Sequence, residues 1–343
     1  MFDLLKRIKE EVFIIAEIGN NHNGDKEAAK KLIDIAYDAG VDAVKFQTFR
    51  GIDIVTPLVK ANEYEGWDTK GFEYWSDFLN SIALPLEDHE EVFNYAKNKG
   101  LICFSTPESP RMVDFLEHLN VQLYKVASMD INNIQLLRRL AQTKKPIIIS
   151  SGMAERKDIE TALLILRENQ VVVMHCISDY PTEYKNVNLL SIKYIKEKFN
   201  VEVGFSDHSL GIDVTIASIL LGARVIEKHI TYSRAAEKKA EHHFSLEPSE
   251  FKLLVNGIRN VEAALGSYDL VRSSNEKVNK LKYRRSLHVN KDLSAGHILT
   301  HDDISVLRPA TGATPSDYDF YIGKKLLIEK KSWNSLNPKD IMQ

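Results

Sequence analysis

The sequence predicts an α/β protein built on a TIM (β/α)8 barrel that is followed by a small β-rich domain. Eight short runs rich in β-branched residues recur along the first part of the chain, and each is followed by a segment with helical periodicity. Several runs are apolar almost throughout, which is typical of parallel strands buried on both faces. The predicted strands are Val12–Gly19, Ala43–Thr48, Leu101–Pro107, Leu123–Ser128, Pro146–Gly152, Val171–Ile177, Glu202–His208 and Val225–Thr231.

The segments between these strands favour the barrel. Amphipathic stretches such as Asp25–Ala39 predict the helices, and Gly40, Gly100 and Gly222 stand where helices need a residue that tolerates positive φ. Eight such units match the size of a TIM barrel, and a doubly wound open sheet is the competing architecture. The long interval Arg50–Pro85 is predicted to be an enlarged loop after the second strand.

The chain is predicted to divide into three parts. Residues 1–266 form the barrel, and residues 267–282 are polar, without a convincing strand, so they are interpreted as a linker. Residues 283–343 contain short strands and turn residues, which indicate a compact β-rich domain. Because such a small domain is marginal alone, it is expected to gain stability by packing on something else.

Composition excludes several classes of function. The formal net charge of −3 gives no basic field for nucleic acid, and no apolar stretch reaches the length of a membrane span. The two cysteines, Cys103 and Cys176, lie in apolar runs and are interpreted as buried thiols in a reducing compartment. The amino terminus lacks the apolar region of a signal peptide, so a cytoplasmic protein is expected.

Two lysines lie at the ends of predicted strands that are otherwise apolar. Lys45 and Lys125 are costly to bury unless they are paired, so one alternative for each is a snorkelling or salt-bridged side chain. The functional alternatives are an anion clamp and a Schiff-base amine. Because Ser128, Ser151 and Gly152 follow nearby strand ends, a phosphate pocket is favoured.

Two histidines end the neighbouring seventh and eighth strands. His208 and His229 are predicted to share one divalent metal ion, with ordinary hydrogen-bonded histidines as the alternative. Asp207 and Glu227 flank them and are candidates to orient the two rings.

Glu17 is a carboxylate at the end of the first strand. It is predicted either to pair with Lys45 or Lys228, or to act as a general base or water-positioning group.

The motifs at the strand ends together resemble the sialic acid synthase family, in the order and spacing of that family. The carboxyl-terminal segment resembles the antifreeze-like (SAF) domain that ends those enzymes, so the resemblance covers nearly the whole chain. The matching motifs are AEIGNNHNG (16–24), KFQT (45–48), STP (105–107), YKVAS (124–128), SSGM (150–153), HC-x-S-x-YPT (175–182), GFSDHS (204–209), EKH (227–229) and SLEP (245–248).

This resemblance implies an activity. Phosphoenolpyruvate would add through C3 to the aldehyde of an open-chain amino sugar, water would attack C2, and inorganic phosphate would leave. His208 and His229 would hold the metal, usually Mn²⁺ with Mg²⁺ or Co²⁺ possible, and Glu17 would position or deprotonate the water or guide the proton at the aldehyde oxygen. The residues implied to bind the two substrates are Lys45, Gln47, Thr106, Lys125, Ser128, Asp130, Ser151, Ser178, Tyr180, Ser206, Glu241 and Arg308.

Departures from the family pattern bear on the sugar. Ser178 stands where N-acetylneuraminate synthases have Asn, and Lys239-Ala240-Glu241 stands where Gly-Pro-Asp is common. Ser at the first position is similar to legionaminate and pseudaminate synthases, whereas the second change leaves the sugar contact to Glu241 or His242. A nonulosonate synthase in the broad sense is therefore predicted, acting on a precursor of a bacterial surface sugar, with N-acetylmannosamine as the alternative substrate.

The resemblance also implies a homodimer in which the antifreeze-like domain caps the barrel of the partner. Arg308 would then reach the N-acyl group of the sugar, and the alternative is an ordinary surface arginine. Three rival functions remain: a Schiff-base pyruvate aldolase using Lys125 or Lys228, an inactive sugar-binding barrel, and a synthase of octulosonate or heptulosonate phosphates. The last would need a second anion site and lacks the antifreeze-like tail.

Overall fold

A computed structural model describes residues 2–63, 67–236 and 240–342. The chain divides into two compact units, residues 1–266 and residues 267–343. Within the described residues, no helix is both long enough and apolar enough to cross a membrane.

The first unit is a closed barrel of eight parallel strands. Each strand pairs with the next along the chain, and β8 pairs with β1, which confirms the predicted TIM barrel and excludes the open sheet. The strands are β1 Phe13–Gly19, β2 Ala43–Thr48, β3 Ile102–Pro107, β4 Tyr124–Val126, β5 Ile147–Ser150, β6 Val171–Cys176, β7 Glu202–Asp207 and β8 Ala223–His229.

Helices surround the barrel and begin and end where the sequence supplies caps. For example, the Asp25 side chain accepts hydrogen bonds from the first turn of Lys26–Ala39, and Gly40 ends that helix with φ 84°. The helices of the first unit are α1 Leu4–Glu10, α2 Lys26–Ala39, α3 Gly51–Ile54, α4 Trp75–Ile82, α5 His89–Asn98, α6 Pro110–His118, α7 Ile134–Thr143, α8 Arg156–Ile165, α9 Ser191–Phe199, α10 Asp213–Leu220 and α11 Pro248–Leu265.

Alternation along the strands separates two apolar layers. Ile14, Ala16 and Ile18 of β1 belong to the large core shared with the helices, whereas Phe13 and Ile15 belong to a second core inside the barrel. That inner core is formed by the amino-terminal halves of the strands. The carboxyl-terminal halves continue the same inward positions with polar side chains.

Helix α1 covers the amino-terminal end of the barrel. Leu4 and Ile8 are fully buried and belong to the same inner core as Phe13 and Ile15. The Arg224 side chain of β8 also donates a hydrogen bond to the Ile8 carbonyl (2.7 Å). Helix α1 therefore seals the floor of the barrel.

The interval Arg50–Pro85 differs from the predicted enlarged loop, because it contains two helices, α3 and α4. Trp75 and Phe78 of α4 stack with ring centroids 4.9 Å apart, and Trp67 packs edge-on against both. This aromatic cluster stabilises a segment that periodicity alone did not identify as helical.

The second unit has its own apolar core around two antiparallel strands, β9 Ser286–Val289 and β10 Ile304–Leu307. Further isolated bridges, such as Leu293–Lys330, extend this small β-rich fold. The segment 267–282, predicted as a linker, includes most of helix α12 Ser274–Tyr283, whose residues are exposed. The second unit also contains the short helix α13 Tyr318–Tyr321.

Candidate active site

A layer of polar side chains crosses the barrel interior directly above the inner apolar core. Each member continues the inward alternation of its strand, which explains why so many charged groups converge. The layer comprises Glu17 of β1, Lys45 and Gln47 of β2, Thr106 of β3, Lys125 of β4, Ser150 of β5, Ser206 of β7, and Glu227 of β8.

Two lysines and two glutamates form the centre of this layer. Lys45 Nζ lies 2.8 Å from Glu17 Oε2 and 3.8 Å from Glu227 Oε2, and Lys125 Nζ lies 3.7 Å from Glu227 Oε1. All four side chains are 5% exposed or less. The structure therefore realises the predicted pairing of Glu17 with Lys45, and Glu17 does not pair with Lys228.

Neutral groups complete the hydrogen bonds of these charges. Lys45 donates to Thr106 Oγ1 (3.0 Å) and Lys125 donates to Ser150 Oγ (2.5 Å). Ser206 Oγ donates to Glu227 (3.0 Å), and Gln47 Nε2 donates to Glu17 (3.0 Å). The network holds both ammonium groups in fixed positions at the base of the cavity.

Burial controls the protonation of this network. Loss of solvation lowers the pKa of Lys125 below its ordinary value, although Glu227 opposes that change. Burial alone would raise the pKa of Glu227, but Lys125 and Lys45 outweigh it and lower that pKa to about 2. Burial also raises the pKa of Glu17 in spite of Lys45, which makes Glu17 a stronger base than an exposed carboxylate.

A narrow cradle lies beside Lys125 at the ends of β4, β5 and β6. The Gly152 N–H donates to Ser128 Oγ (3.1 Å), and the buried Ser178 Oγ has no hydrogen-bond partner among the described residues. A Cβ on Gly152 would lie 2.4 Å from Ser178 Oγ and 2.7 Å from Ser128 Oγ, so a larger residue there would displace both serine hydroxyls. Ser151 hydrogen-bonds the Met174 carbonyl (2.9 Å) at the edge of this cradle.

The two predicted metal ligands lie side by side. The rings of His208 and His229 have centroids 5.4 Å apart and are almost fully buried. His208 Nδ1 lies 2.8 Å from the Ile177 carbonyl, so that nitrogen carries the proton and leaves a lone pair on Nε2. His229 Nδ1 faces Glu241 Oε2 at 3.3 Å, which favours the same tautomer.

These two imidazoles fit a divalent metal ion that has open coordination positions. Among the residues that the structure describes, no group of three or more His, Cys, Asp or Glu side chains is arranged to hold a metal. The remaining ligands would therefore be water or substrate oxygens, as expected of a catalytic rather than a structural site.

Two predicted supports of the histidines lie elsewhere. Asp207 faces away from the barrel interior and binds Lys228 Nζ (2.7 Å), so it does not orient either imidazole. Glu227 binds the two lysines instead. Lys228 is also outside the site, which leaves Lys125 as the only one of the two proposed Schiff-base lysines at the cavity base.

A cavity of about 610 Å³ opens above the polar layer. It includes six of the predicted residues: Gln47, Thr106, Ser128, Ser178, Tyr180 and Glu241. The Tyr180 ring lies 4.1 Å from the His208 ring, between centroids, and therefore joins the cavity to the two histidines. Lining residues that the sequence did not single out are Trp67, Trp75, Glu108, Met129, Met153, Asp179, His243 and Phe244.

Three further predicted positions lie in a turn, in the second unit and outside the described residues. Asp130 lies in the turn after β4, where its Oδ1 accepts a hydrogen bond from Asn133 (2.9 Å). Arg308 lies in the second unit with its guanidinium 5.5 Å from the centre of the Tyr283 ring. Lys239, one of the departures from the family pattern, lies outside the described residues.

The fold and this arrangement of lysines, serines and histidines define a TIM-barrel protein with two buried lysines beneath a larger cavity. The NeuB family model matches residues 32–269, and the SAF domain model matches residues 284–329. The chain therefore belongs to the NeuB family, and the predicted resemblance is confirmed.

Individual relatives agree with this assignment. The chain is 36% identical over 320 residues to the N,N'-diacetyllegionaminic acid synthase of Campylobacter jejuni, covering 92% of this chain and 96% of that protein. It is 37% identical over 342 residues to the pseudaminic acid synthase of the same species, covering 96% and 97%. A crystal structure of the N-acetylneuraminic acid synthetase of Leptospira borgpetersenii superposes with a TM-score of 0.69 at 30% identity, covering 78% of this chain and 90% of that one.

Proposed function

We propose that this protein condenses phosphoenolpyruvate with the open-chain aldehyde of an N-acylated amino sugar, giving a nine-carbon 2-keto-3-deoxy acid and phosphate. The observation that carries the proposal is the buried pair Lys45 and Lys125 beneath a cavity of about 610 Å³. Two fixed ammonium groups suit a small substrate with two anionic groups, and the cavity above them suits a sugar chain.

The reaction joins two substrates and water. C3 of phosphoenolpyruvate bonds to the aldehyde carbon, and the aldehyde oxygen takes up a proton. Water adds at C2 and loses one proton. The bond between C2 and the phosphate oxygen then breaks, and the remaining hydroxyl proton goes to the departing phosphate as C2 becomes the keto carbon. Glu17, whose pKa is raised by burial, would accept the proton of that water or hold the water in line.

The anion site is assigned to the lower part of the cavity. Burial lowers the pKa of Lys125 despite the nearby Glu227 carboxylate and so disfavours its positive charge. A phosphate or carboxylate group would restore that charge. Ser128, Ser151 and Ser178 around Gly152 supply hydroxyl and backbone donors to the same group, and Ser206 and Thr106 flank the lysines.

His208 and His229 would hold the divalent metal ion, with Mn²⁺ the first choice and Mg²⁺ or Co²⁺ as alternatives. When bound, the ion would orient and polarise the aldehyde oxygen. The hydrogen bond from His208 Nδ1 to Ile177 fixes that ring, and Glu241 lies beside Nδ1 of His229.

The sugar side of the cavity favours an unphosphorylated substrate. Among the described residues of the barrel, the cavity is lined by three carboxyl side chains, Glu108, Asp179 and Glu241, and by no lysine or arginine. A second phosphate group would meet repulsion there. An unphosphorylated sugar is therefore preferred. Because Ser178 is similar to the legionaminate and pseudaminate synthases, a precursor of a bacterial surface sugar of that kind is the first choice, and N-acetylmannosamine is the alternative.

Phosphate release tests this function. Purified protein with phosphoenolpyruvate and Mn²⁺ is expected to release phosphate only when a suitable 2,4-diamino-hexose derivative or N-acetylmannosamine is added, and a chelator should suppress release. Phosphate release from phosphoenolpyruvate without any sugar would contradict the proposal. Trapping of a pyruvate adduct on Lys125 by borohydride would favour the aldolase instead.

We also propose a homodimer in which Arg308 of one subunit reaches the sugar bound in the barrel of the other. Arg308→Ala is then expected to raise the KM for the sugar about tenfold or more and to leave the KM for phosphoenolpyruvate within about twofold.

Mixing this variant with Lys125→Met provides the decisive control. Arg308 acting between subunits should restore about a quarter of wild-type activity in random dimers. If subunit exchange is confirmed but activity does not recover, Arg308 does not act on the barrel of the other subunit.

A cytoplasmic location is the final part of the proposal. Cys103 and Cys176 are both free and buried, as expected in a reducing compartment. Cell fractionation that recovers the enzyme outside the cytoplasm would contradict it.

A further inference from the structure

Glu108 in the cavity wall and Asp130 in the turn after β4 are two carboxyl side chains within hydrogen-bonding reach of each other. Glu108 follows β3 and is 4% exposed. Glu108 Oε2 and Asp130 Oδ2 are buried, and neither receives a hydrogen bond from any donor in the described part of the chain. Two carboxylates offer only acceptors, so a bond between them requires a proton.

The nearest cations do not neutralise this pair. Lys45 and Lys125 are the lysines whose charges act on Glu108, but Lys45 is bound to Glu17 at 2.8 Å and Lys125 lies beside Glu227 at 3.7 Å. Burial and the neighbouring Asp130 raise the pKa of Glu108 well above its ordinary value, and the two lysines oppose that change without cancelling it. Glu108 therefore holds a proton more readily than an exposed glutamate, and that proton can bridge to the Asp130 carboxylate.

The number of hydrogen-bond donors that Glu108 and Asp130 need indicates which chemical group of a ligand they would bind. If the shared proton leaves, two acceptor oxygens require two hydrogen bonds and a positive charge. A primary ammonium group supplies three donors and that charge, whereas a hydroxyl or a secondary amide supplies one donor and no charge. The proton released from the pair passes to solvent when the ammonium group binds.

The surroundings of the pair leave room for an acyl group as well. Met129 and Met153 line the same cavity, and Trp67 and Trp75 contribute aromatic surface. This apolar wall suits an N-acyl methyl group elsewhere on the sugar.

We propose that Glu108 and Asp130 form a specificity site for a free primary amine, so that the preferred sugar carries one acylated and one free amino group. This inference rests on the proposed function, and it deepens that function by naming the substrate class.

Steady-state kinetics with matched sugars test the site. Wild-type protein is compared on 2,4-diacetamido-2,4,6-trideoxyhexoses and on the two corresponding mono-acetylated sugars, each with one free amine. A mono-acetylated sugar is expected to have a kcat/KM higher by about tenfold or more. In Glu108→Gln, which keeps the shape but cannot ionise, this preference should fall to about threefold or less, with an unchanged KM for phosphoenolpyruvate.

Controls separate this effect from a general loss of charge in the cavity. Asp179→Asn removes another carboxylate from the same cavity and should leave the ratio between the two sugars unchanged. Asp130→Asn should reproduce the loss of preference if Glu108→Gln folds poorly. Wild-type preference for the diacetylated sugar, or an equal effect of Glu108→Gln on both sugars, would overturn the inference while leaving the proposed function intact. Absence of phosphate release with any of these sugars, despite binding of phosphoenolpyruvate, would overturn both.

Protein stability gives a readout that does not depend on turnover. Because the folded-state pKa of Glu108 is raised, wild-type protein loses stability as pH rises from the ordinary glutamate pKa through the raised one. Glu108→Gln does not lose stability in this way. The melting temperature of the variant should therefore rise relative to that of wild type as pH rises. A difference that is constant with pH would show that Glu108 does not hold the proton and would overturn the inference.

Discussion

Lys125→Met is expected to lower kcat/KM for phosphoenolpyruvate by about 10² to 10³, the loss typical of removing one fixed group that stabilises developing charge. The ammonium group lies 2.5 Å from Ser150 Oγ and 3.7 Å from Glu227, at the base of the cavity. Methionine keeps the volume but removes the charge that attracts the anion. It also leaves Glu227 with Lys45 alone, at 3.8 Å, as its cation. Calorimetric titration with phosphoenolpyruvate and steady-state kinetics would measure both effects.

Lys228→Met is the matched control for this experiment. Lys228 is also a buried strand lysine, but it pairs with Asp207 on the outer side of the barrel. Its loss should therefore cost about 3–5 kcal/mol of stability, because Asp207 is left buried without a cation. The folded fraction should still bind phosphoenolpyruvate normally. Wild-type affinity in Lys125→Met would remove Lys125 from the anion site.

His208→Ala is expected to reduce turnover by about a thousandfold, because the aldehyde would lose the cation that polarises its oxygen. The same change should weaken Mn²⁺ binding, since only His229 would remain of the two proposed ligands. Electron paramagnetic resonance of free Mn²⁺ during a titration measures that affinity directly and needs no sugar. Activity near wild type with added Mn²⁺ would contradict the metal assignment.

His175→Gln supplies the comparison for that variant. His175 lies on the neighbouring strand β6, but it points outward and hydrogen-bonds the Val187 carbonyl (2.6 Å). Replacing it should cost about 1–3 kcal/mol of stability through a disturbed buried hydrogen bond. Mn²⁺ affinity should not change. Loss of Mn²⁺ binding in both variants would indicate a general disturbance of the barrel rather than loss of a ligand.

Much of this site was predictable, because strand ends in a parallel barrel meet at one face. The sequence placed Lys45, Lys125, His208 and His229 at that face, and their observed positions agree with it. It left the partner of Glu17 open, because strand register determines which side chains touch. The observed register brings Glu17 opposite Lys45.

The sequence-based predictions that were wrong or incomplete also have identifiable causes. Lys228 and Asp207 lie one residue away from inward positions, and a step of one residue turns a strand side chain to the opposite face. Counting alternate positions back from His229 would have placed Lys228 outside the site. Glu108 was overlooked because Pro107 was taken as the end of β3, although Glu108 continues the inward positions of Thr106. The contact between Glu241 and His229 depends on the path of a loop, which has no periodicity to read.

The sealed floor formed by α1 gives the barrel a single mouth. Leu4 and Ile8 close the end opposite the cavity, so we expect both substrates and both products to pass through the cavity end. The proposed anion site lies at the bottom of that passage, below the space assigned to the sugar. A sugar that arrived first would block the way for phosphoenolpyruvate. The depth of the proposed anion site therefore predicts an order of binding and release. Phosphoenolpyruvate is expected to bind before the sugar, and phosphate is expected to leave after the sugar acid.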